Sequence, residues 1–441
     1  MDEDRAETME GEEEMEEEEA VEEGEGEEGK EEEEGGGGGL ECDMSAYKLF
    51  HEGSTGAPCL SFDILRDGLG DARTCESPVS VSFVAGTQGA RVHLNTVMVV
   101  KVNKLSKVSE KDSESESESE LDDEEDEGRE PAIASASYKH NGGVNRIRAT
   151  TINNIQLAAA WSELGQVNIY NLTSLIQDIE EGRGGGGGGG GGHTRDDPPM
   201  FTFRGHKTEG FAVDWSSAMP GTLATGDCER HVHIWRPQEG GRWAVCAEPL
   251  SAHTASVEDI QWSPGEQNVL ATCSVDRSLR VWDIRAPPKK ACMLTLSEAH
   301  SSDINVIHWS RSEPFIASGG DDGCVRVWDL RRMQPGNTSP ASSMVAELRH
   351  HSGPVSTVEW HPNEGSVLAS GGEDDAILQW DLAVERDTTA GVAEEEDIPE
   401  QLLFVHKGQK EVKELHWHPQ VPGLIVSTAA SGFNIFKTIS C

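Results

Sequence analysis

The chain reads as an all-β protein, a seven-bladed β-propeller closed by its own N-terminal segment. Three observations predict this: a polar-to-aromatic repeat, the strand patterning inside it, and a last unit that runs out of chain. Six times a His stands roughly thirty residues ahead of an aromatic residue. His253 leads to Trp282-Asp283, His300 to Trp328-Asp329 and His351 to Trp380-Asp381. His206 leads to Trp235 with Arg236 replacing the Asp, and His140–Tyr170 and His406–Phe436 are degenerate copies. Self-similarity at a spacing of about forty to fifty residues means one supersecondary unit stacked repeatedly on its neighbours.

Inside a unit the pattern is that of short strands. Val257-Glu258-Asp259-Ile260-Gln261-Trp262 alternates apolar and polar, as a half-buried strand does. A Ser263-Pro264 turn, Val269–Cys273 and Leu279–Trp282 follow, and Cys292–Leu296 precedes the next His. Three strands per His-to-Trp unit plus one before the next His make a four-stranded blade, and the repeat resembles that of the WD40 proteins. The six His-led units give six blades. Cys59–Leu65, Val79–Gly86, Val97–Val102 and Pro131–Tyr138 give the seventh. After Phe436 only five residues remain, too few for a fourth strand. An unpaired edge invites aggregation, so the Tyr47–Phe50 stretch is expected to close the ring.

Composition divides the chain. Residues 1–43 read as a disordered Glu- and Gly-rich acidic tail, and residues 44–441 as the propeller. The propeller is expected to carry a disordered acidic loop at 105–130, a Gly-rich insertion at 182–198 and an acidic loop at 384–400. The formal charge is −44, of which residues 1–34 hold 21 acids against 2 bases and residues 109–130 hold 13 against 2. Two polyacid tracts repel phosphate, so the chain is read as having no direct nucleic-acid partner; basic proteins are its complement. Ser109, Ser113, Ser115, Ser117 and Ser119 each have an acid three residues downstream, the pattern an acidophilic kinase such as casein kinase two prefers. Phosphorylation there would deepen the charge. The alternative is a plain solvated loop. Nine scattered cysteines without a Cys-x-x-Cys pair read as reduced intracellular thiols. No signal-like segment and no run near eighteen apolar residues is present, so a soluble protein without a membrane partner is expected.

The repeated polar residues suggest fasteners rather than chemistry. Asp276, Asp322 and Asp374 stand six residues before Trp282, Trp328 and Trp380. In WD40 proteins such an Asp, the repeat His, a Ser or Thr and the Trp form a hydrogen-bonded network that satisfies buried polar groups. The alternative is His–Asp catalysis or metal ligation, against which each pair sits in a separate blade. For His206 the equivalent position is Glu229, so that network is expected to be altered. Gly-x-Ser-x-Gly, phosphate-loop and His-Glu-x-x-His patterns do not occur. His416-x-His418 resembles a metal pair only in isolation. No catalytic residue, metal or cofactor is expected, and the chain is read as a non-enzyme.

Two stretches narrow the family. Tyr47-Lys48-Leu49-Phe50-His51, followed by Gly56–Asp63, resembles the N-terminal histone-binding segment of the retinoblastoma-binding and chromatin-assembly-factor WD40 proteins. Asp397-Ile398-Pro399-Glu400-Gln401-Leu402-Leu403-Phe404-Val405-His406 is similar to the acidic, proline-containing loop and strand those proteins use against a histone helix. Together with these stretches, the polyglutamate tail resembles that of a glutamate-rich branch of the family, which implies a nuclear and nucleolar protein. The resemblance covers about residues 44–441. It implies histone binding, chaperoning of a basic large-subunit ribosomal protein during ribosome assembly, and a link to licensing factors at replication origins. It also implies partner contacts at Tyr47, Phe50, Glu394, Glu395, Glu396, Asp397, Ile398, Leu402 and Leu403. One departure stands out. The relatives have a long amphipathic N-terminal helix as one wall of the groove. Here five consecutive glycines precede the segment, and Gly costs about 1 kcal/mol each in a helix, so a truncated groove is expected.

A second reading comes from Trp282-Asp283-Ile284-Arg285 and Trp328-Asp329-Leu330-Arg331. In substrate receptors of cullin–RING ubiquitin ligases the Arg of this pattern contacts the adaptor, which makes Arg285 and Arg331 candidates. An Arg opening a loop after a strand is also commonly just solvated.

Overall fold

The computed structural model describes residues 42–75, 78–108, 131–186, 193–336, 339–384 and 398–440. These form seven sheets around a central channel, six of four strands and one, the first blade, enlarged to six. Blades are numbered in chain order. In the fourth, Val257–Trp262, Val269–Ser274, Leu279–Asp283 and Cys292–Leu296 run from the channel outward, as the alternation predicts. Inner strands of successive blades lie against one another, and their tryptophans tie them. The Trp262 indole N–H donates to Asp214 O at 3.0 Å, and Trp417 does the same to Glu359 O at 3.2 Å. Glycines near the ends of second strands let the next blade come close. A Cβ on Gly319 would sit 2.5 Å from Val355 Cγ1, and one on Gly371 would sit 2.7 Å from Val412 Cγ1.

Both chain ends build the seventh blade. Val412–Trp417, Leu424–Ala429 and Gly432–Thr438 supply its inner three strands. Tyr47–Gly53 pairs antiparallel with Gly432–Thr438 as the outermost. The ring is therefore closed by the N-terminal segment, and among the described residues its last blade has the full four strands.

The repeat networks are internal fasteners. His253 Nδ1 lies 3.0 Å from Asp276, its Nε2 lies 2.6 Å from the Thr272 hydroxyl, and the Trp282 indole donates to that hydroxyl at 2.8 Å. His300, Asp322, Ser318 and Trp328 repeat the arrangement, as do His351, Asp374, Ser370 and Trp380. One assignment uses each proton once. The His Nδ1–H donates to the carboxylate and the hydroxyl donates to Nε2. Burial holds His206, His253 and His300 below the ordinary imidazole range, which keeps them neutral.

Three expectations need correction here. Glu229 does not alter the His206 network. Asp227, two residues earlier, reaches His206 Nδ1 at 2.7 Å while Thr225 and Trp235 complete the set. The acid moved along the turn and the geometry was kept. The insertion at 182–198 is also not wholly loop. Gly185–Gly186 and His193–Arg195 add to the outer strand of the first blade, Ala132–Lys139. Before them runs an unforeseen helix, Thr173–Glu180, whose buried Asp178 takes ion pairs from Arg183 at 2.7 Å and Arg195 at 3.0 Å. At the start of the segment read as an acidic loop, Leu105 still belongs to the Thr96–Leu105 strand.

Candidate partner surface at the closing seam

The closing strand Tyr47–Gly53 and the outermost strand of the sixth blade, Leu402–His406, lie side by side on the rim. Between them is an aromatic cluster. Tyr47 packs against Phe50 at 5.1 Å, edge-on to Phe404 at 5.5 Å, and His406 stacks on Phe436 at 4.0 Å. The Asn434 amide donates to His406 Nε2 at 3.3 Å, leaving Nδ1–H to donate to the Tyr47 oxygen at 2.8 Å. His140 repeats this form, with Asn168 on Nε2 and Gly142 O on Nδ1. Burial pushes the His406 imidazole down to about 4, so it stays neutral.

Tyr47 is thus turned inward, only 8% exposed, with its hydroxyl already engaged. It positions the seam and is not itself a surface contact, which corrects the expected role. Phe50, Leu402 and Leu403 are half-buried, with Leu402 packed on the core of the sixth blade. Three apolar side chains on this rim face solvent: Ile398 at 54%, Val405 at 38% and Ile439 at 57% exposed. Val405 and Ile439 were not foreseen, and the unbroken apolar run Leu402–Val405 carries no alternation that would have marked the first. Ile398 enters the strand through a turn in which Leu402 N–H donates to Pro399 O at 3.0 Å. Glu394, Glu395, Glu396 and Asp397 lie outside the described residues, as do Ser109, Ser113, Ser115, Ser117 and Ser119.

The two Trp-Asp-x-Arg arginines sit apart from the seam. Arg285 grips Asp283 through two nitrogens and is 68% exposed at its side chain. Arg331 holds Asp329 the same way, 65% exposed, and lies over the Phe315 ring.

A buried charge cluster on the channel wall was also missed. Glu414 accepts from Arg148 at 2.7 Å, Arg146 at 2.9 Å, the Ser61 hydroxyl at 2.7 Å and Phe62 N–H at 2.8 Å. One carboxylate thereby links the seventh blade to the first and second. His416 beside it donates to Glu359 at 2.7 Å and is pushed up to about 10, because Glu359 and Glu414 outweigh its burial. Only the alternation of Glu414 and His416 with Leu415 and Trp417 hinted at this. His418 points to other work, accepting the turn N–H groups of Gln420 and Val421. The acids and bases here neutralise one another at the inner seams, an arrangement that holds blades together. Among the described residues no group of His, Cys, Asp and Glu has metal-site geometry.

Seven blades, the last closed by the N-terminal strand, define a WD40 β-propeller. Residues 244–283, 290–329 and 342–381 match the WD domain, G-beta repeat, and residues 39–106 match the family of the histone-binding protein RBBP4 and its counterpart in the CAF1 complex. The chain is 40% identical to Protein HEAT STRESS TOLERANT DWD 1 of Arabidopsis thaliana, covering 90% of this chain and 87% of that one. It is 36% identical to the ribosome assembly protein rrb1 of Schizosaccharomyces pombe, over 91% and 82% respectively. The Glutamate-rich WD repeat-containing protein 1 of Dictyostelium discoideum is also 36% identical, over 90% and 82%. The chain belongs to the family of glutamate-rich WD repeat-containing proteins.

Proposed function

We propose that this protein is an acidic chaperone for basic proteins, histones and a basic large-subunit ribosomal protein, acting in the nucleus and nucleolus. The observation that carries the reading is the rim seam. There Ile398, Val405 and Ile439 are exposed, Phe50 is half-buried, and the acidic residues 394–397 directly precede Ile398 in sequence. Apolar anchors fix register on a cargo helix, and the polyacid tracts neutralise its Lys and Arg side chains. Contacts of the second kind speed encounter and weaken with salt, so cargo is held yet released. The names of the relatives, one a ribosome assembly protein, support the same direction.

The test is affinity for purified histones and for a purified basic ribosomal protein. Intact chain is compared with a form lacking residues 1–42 and 109–130, and with Ile398→Asp plus Val405→Asp. The reading expects the truncation to weaken binding strongly at low salt, and the seam substitutions to weaken it at every salt. Unchanged binding by both forms sinks it.

A second reading, ligase substrate receptor, is favoured by the exposure of Arg285 and Arg331. Arg285→Ala with Arg331→Ala decides it: unchanged recovery of the adaptor with the variant removes the ligase role.

A further inference from the structure

On a chain of charge −44, one cleft is lined by cations with no described carboxylate in its wall. It lies between the seventh and first blades and encloses about 410 Å³. Lys48 of the closing strand, Lys437 of the Gly432–Thr438 strand, Arg73 and Lys107 of the first blade contribute the charges, and Cys75 forms part of the wall. Burial raises the Cys75 thiol overall, against the opposing pull of Lys437, Lys107 and Lys48. Arg73 is ion-paired to Asp67 at 3.0 Å through Nη1, but its Nε and Nη2 are buried without a hydrogen-bond partner among the described residues. Buried unpartnered donors are costly, and an anion is what would relieve them.

The chain supplies one at the lip of the cleft. Val108 lines it and donates its N–H to Lys48 O at 3.2 Å, and the next residue begins the tract 109–130, with 13 acids against 2 bases. A tether of no length gives an effective concentration of about millimolar or above, without any partner in solution. We propose that the Lys48–Arg73–Lys107–Lys437 cleft is an anion-binding site whose occupant is the chain's own acidic serine-rich tract, residues 109–130. The cleft and any basic ligand then compete for the same carboxylates. Phosphate on Ser109 to Ser119 tightens the cleft's hold. The inference stands apart from the identity of the cargo, because its test uses none.

A zero-length carbodiimide joins carboxylates to amines that are in contact. On the intact chain alone, Lys48 and Lys437 are expected to couple to acids of residues 110–130. High salt is expected to abolish these links. Lys289 with Glu248, 3.4 Å apart, serves as the internal control. A second form carries Gln and Asn in place of the acids of 109–130, leaving the propeller unchanged. In it Lys48 and Lys437 are expected to become severalfold more reactive toward an acetylating reagent. Links from these lysines to residues 1–41 only, or none while the control links form, overturn the proposal. So does equal lysine reactivity in the two forms.

Discussion

His406 Nδ1 lies 2.8 Å from the Tyr47 hydroxyl, so the first strand of the propeller is bonded to the last strand of the blade before its own. Residues 359 positions apart in sequence thus share one buried proton, and the ring is locked from outside. Tyr47→Phe keeps the ring packing but leaves a buried imidazole N–H without an acceptor, at about 1–3 kcal/mol. Tyr47→Ala adds a cavity and is expected to cost about 3–5 kcal/mol. Denaturant unfolding measures both; a Phe variant as stable as the parent contradicts the bond.

On the inside the equivalent lock is Glu414. Glu414→Gln removes the carboxylate to which Arg146 and Arg148 are both ion-paired and is expected to destabilise by about 3–5 kcal/mol. Equilibrium unfolding checks it. A loss comparable to an exposed substitution would mean that the cluster is dispensable.

The displaced acid of the third blade gives a paired test. Asp227→Asn removes the charged acceptor of His206 and is expected to cost about 1.5–3 kcal/mol. Glu229→Ala, at the position the spacing points to, is expected to change stability by no more than about 0.5 kcal/mol. The reverse order in thermal unfolding would return the role to Glu229.

These networks set the pH response. His206, His253 and His300 are lowered by burial, and His406 is lowered to about 4, from an ordinary value of 6.5. A depressed folded value means stability that is present above 6.5 and lost as pH falls toward the folded value. Asp227 and Asp374 are lowered as well; burial would raise them, but His206 and His351 outweigh it, so they add losses at still lower pH. His416, raised to about 10, contributes fully below 6.5 and loses that contribution as pH climbs to 10. Denaturation midpoints are therefore expected to peak near neutrality and to fall from 6.5 to 4, less steeply than the imidazoles alone dictate, because burial raises the Asp214 carboxyl to about 7 and gives the opposite slope there. A midpoint that holds or rises in that interval contradicts the neutral-imidazole assignment.

Much of this architecture can be read from the sequence because it rests on local period and on counting. The His-to-Trp spacing locates each blade, and the five residues left after Phe436 require a strand from elsewhere. What stays hidden depends on distant partners. Nothing near Tyr47 says that its hydroxyl will meet His406, so an aromatic suited to a partner surface proves to be a core residue. Nothing near Glu414 names Ser61 or Arg148, which come from other blades. Asp227 escapes a fixed-spacing rule because the turn, not the count, sets where a carboxylate can reach. The Gly185–Gly186 and His193–Arg195 strands escape composition because glycine content says nothing of an available edge on Ala132–Lys139.

The most direct test of the central claim is hydrogen–deuterium exchange on the intact chain, with and without a purified histone H3–H4 pair. Cargo is expected to slow exchange in Tyr47–Gly53, in residues 398–406 and in 109–130, with the inner strands of the third to fifth blades unchanged. Protection confined to those middle blades, or to the channel wall around Glu414, would contradict a rim seam as the cargo surface.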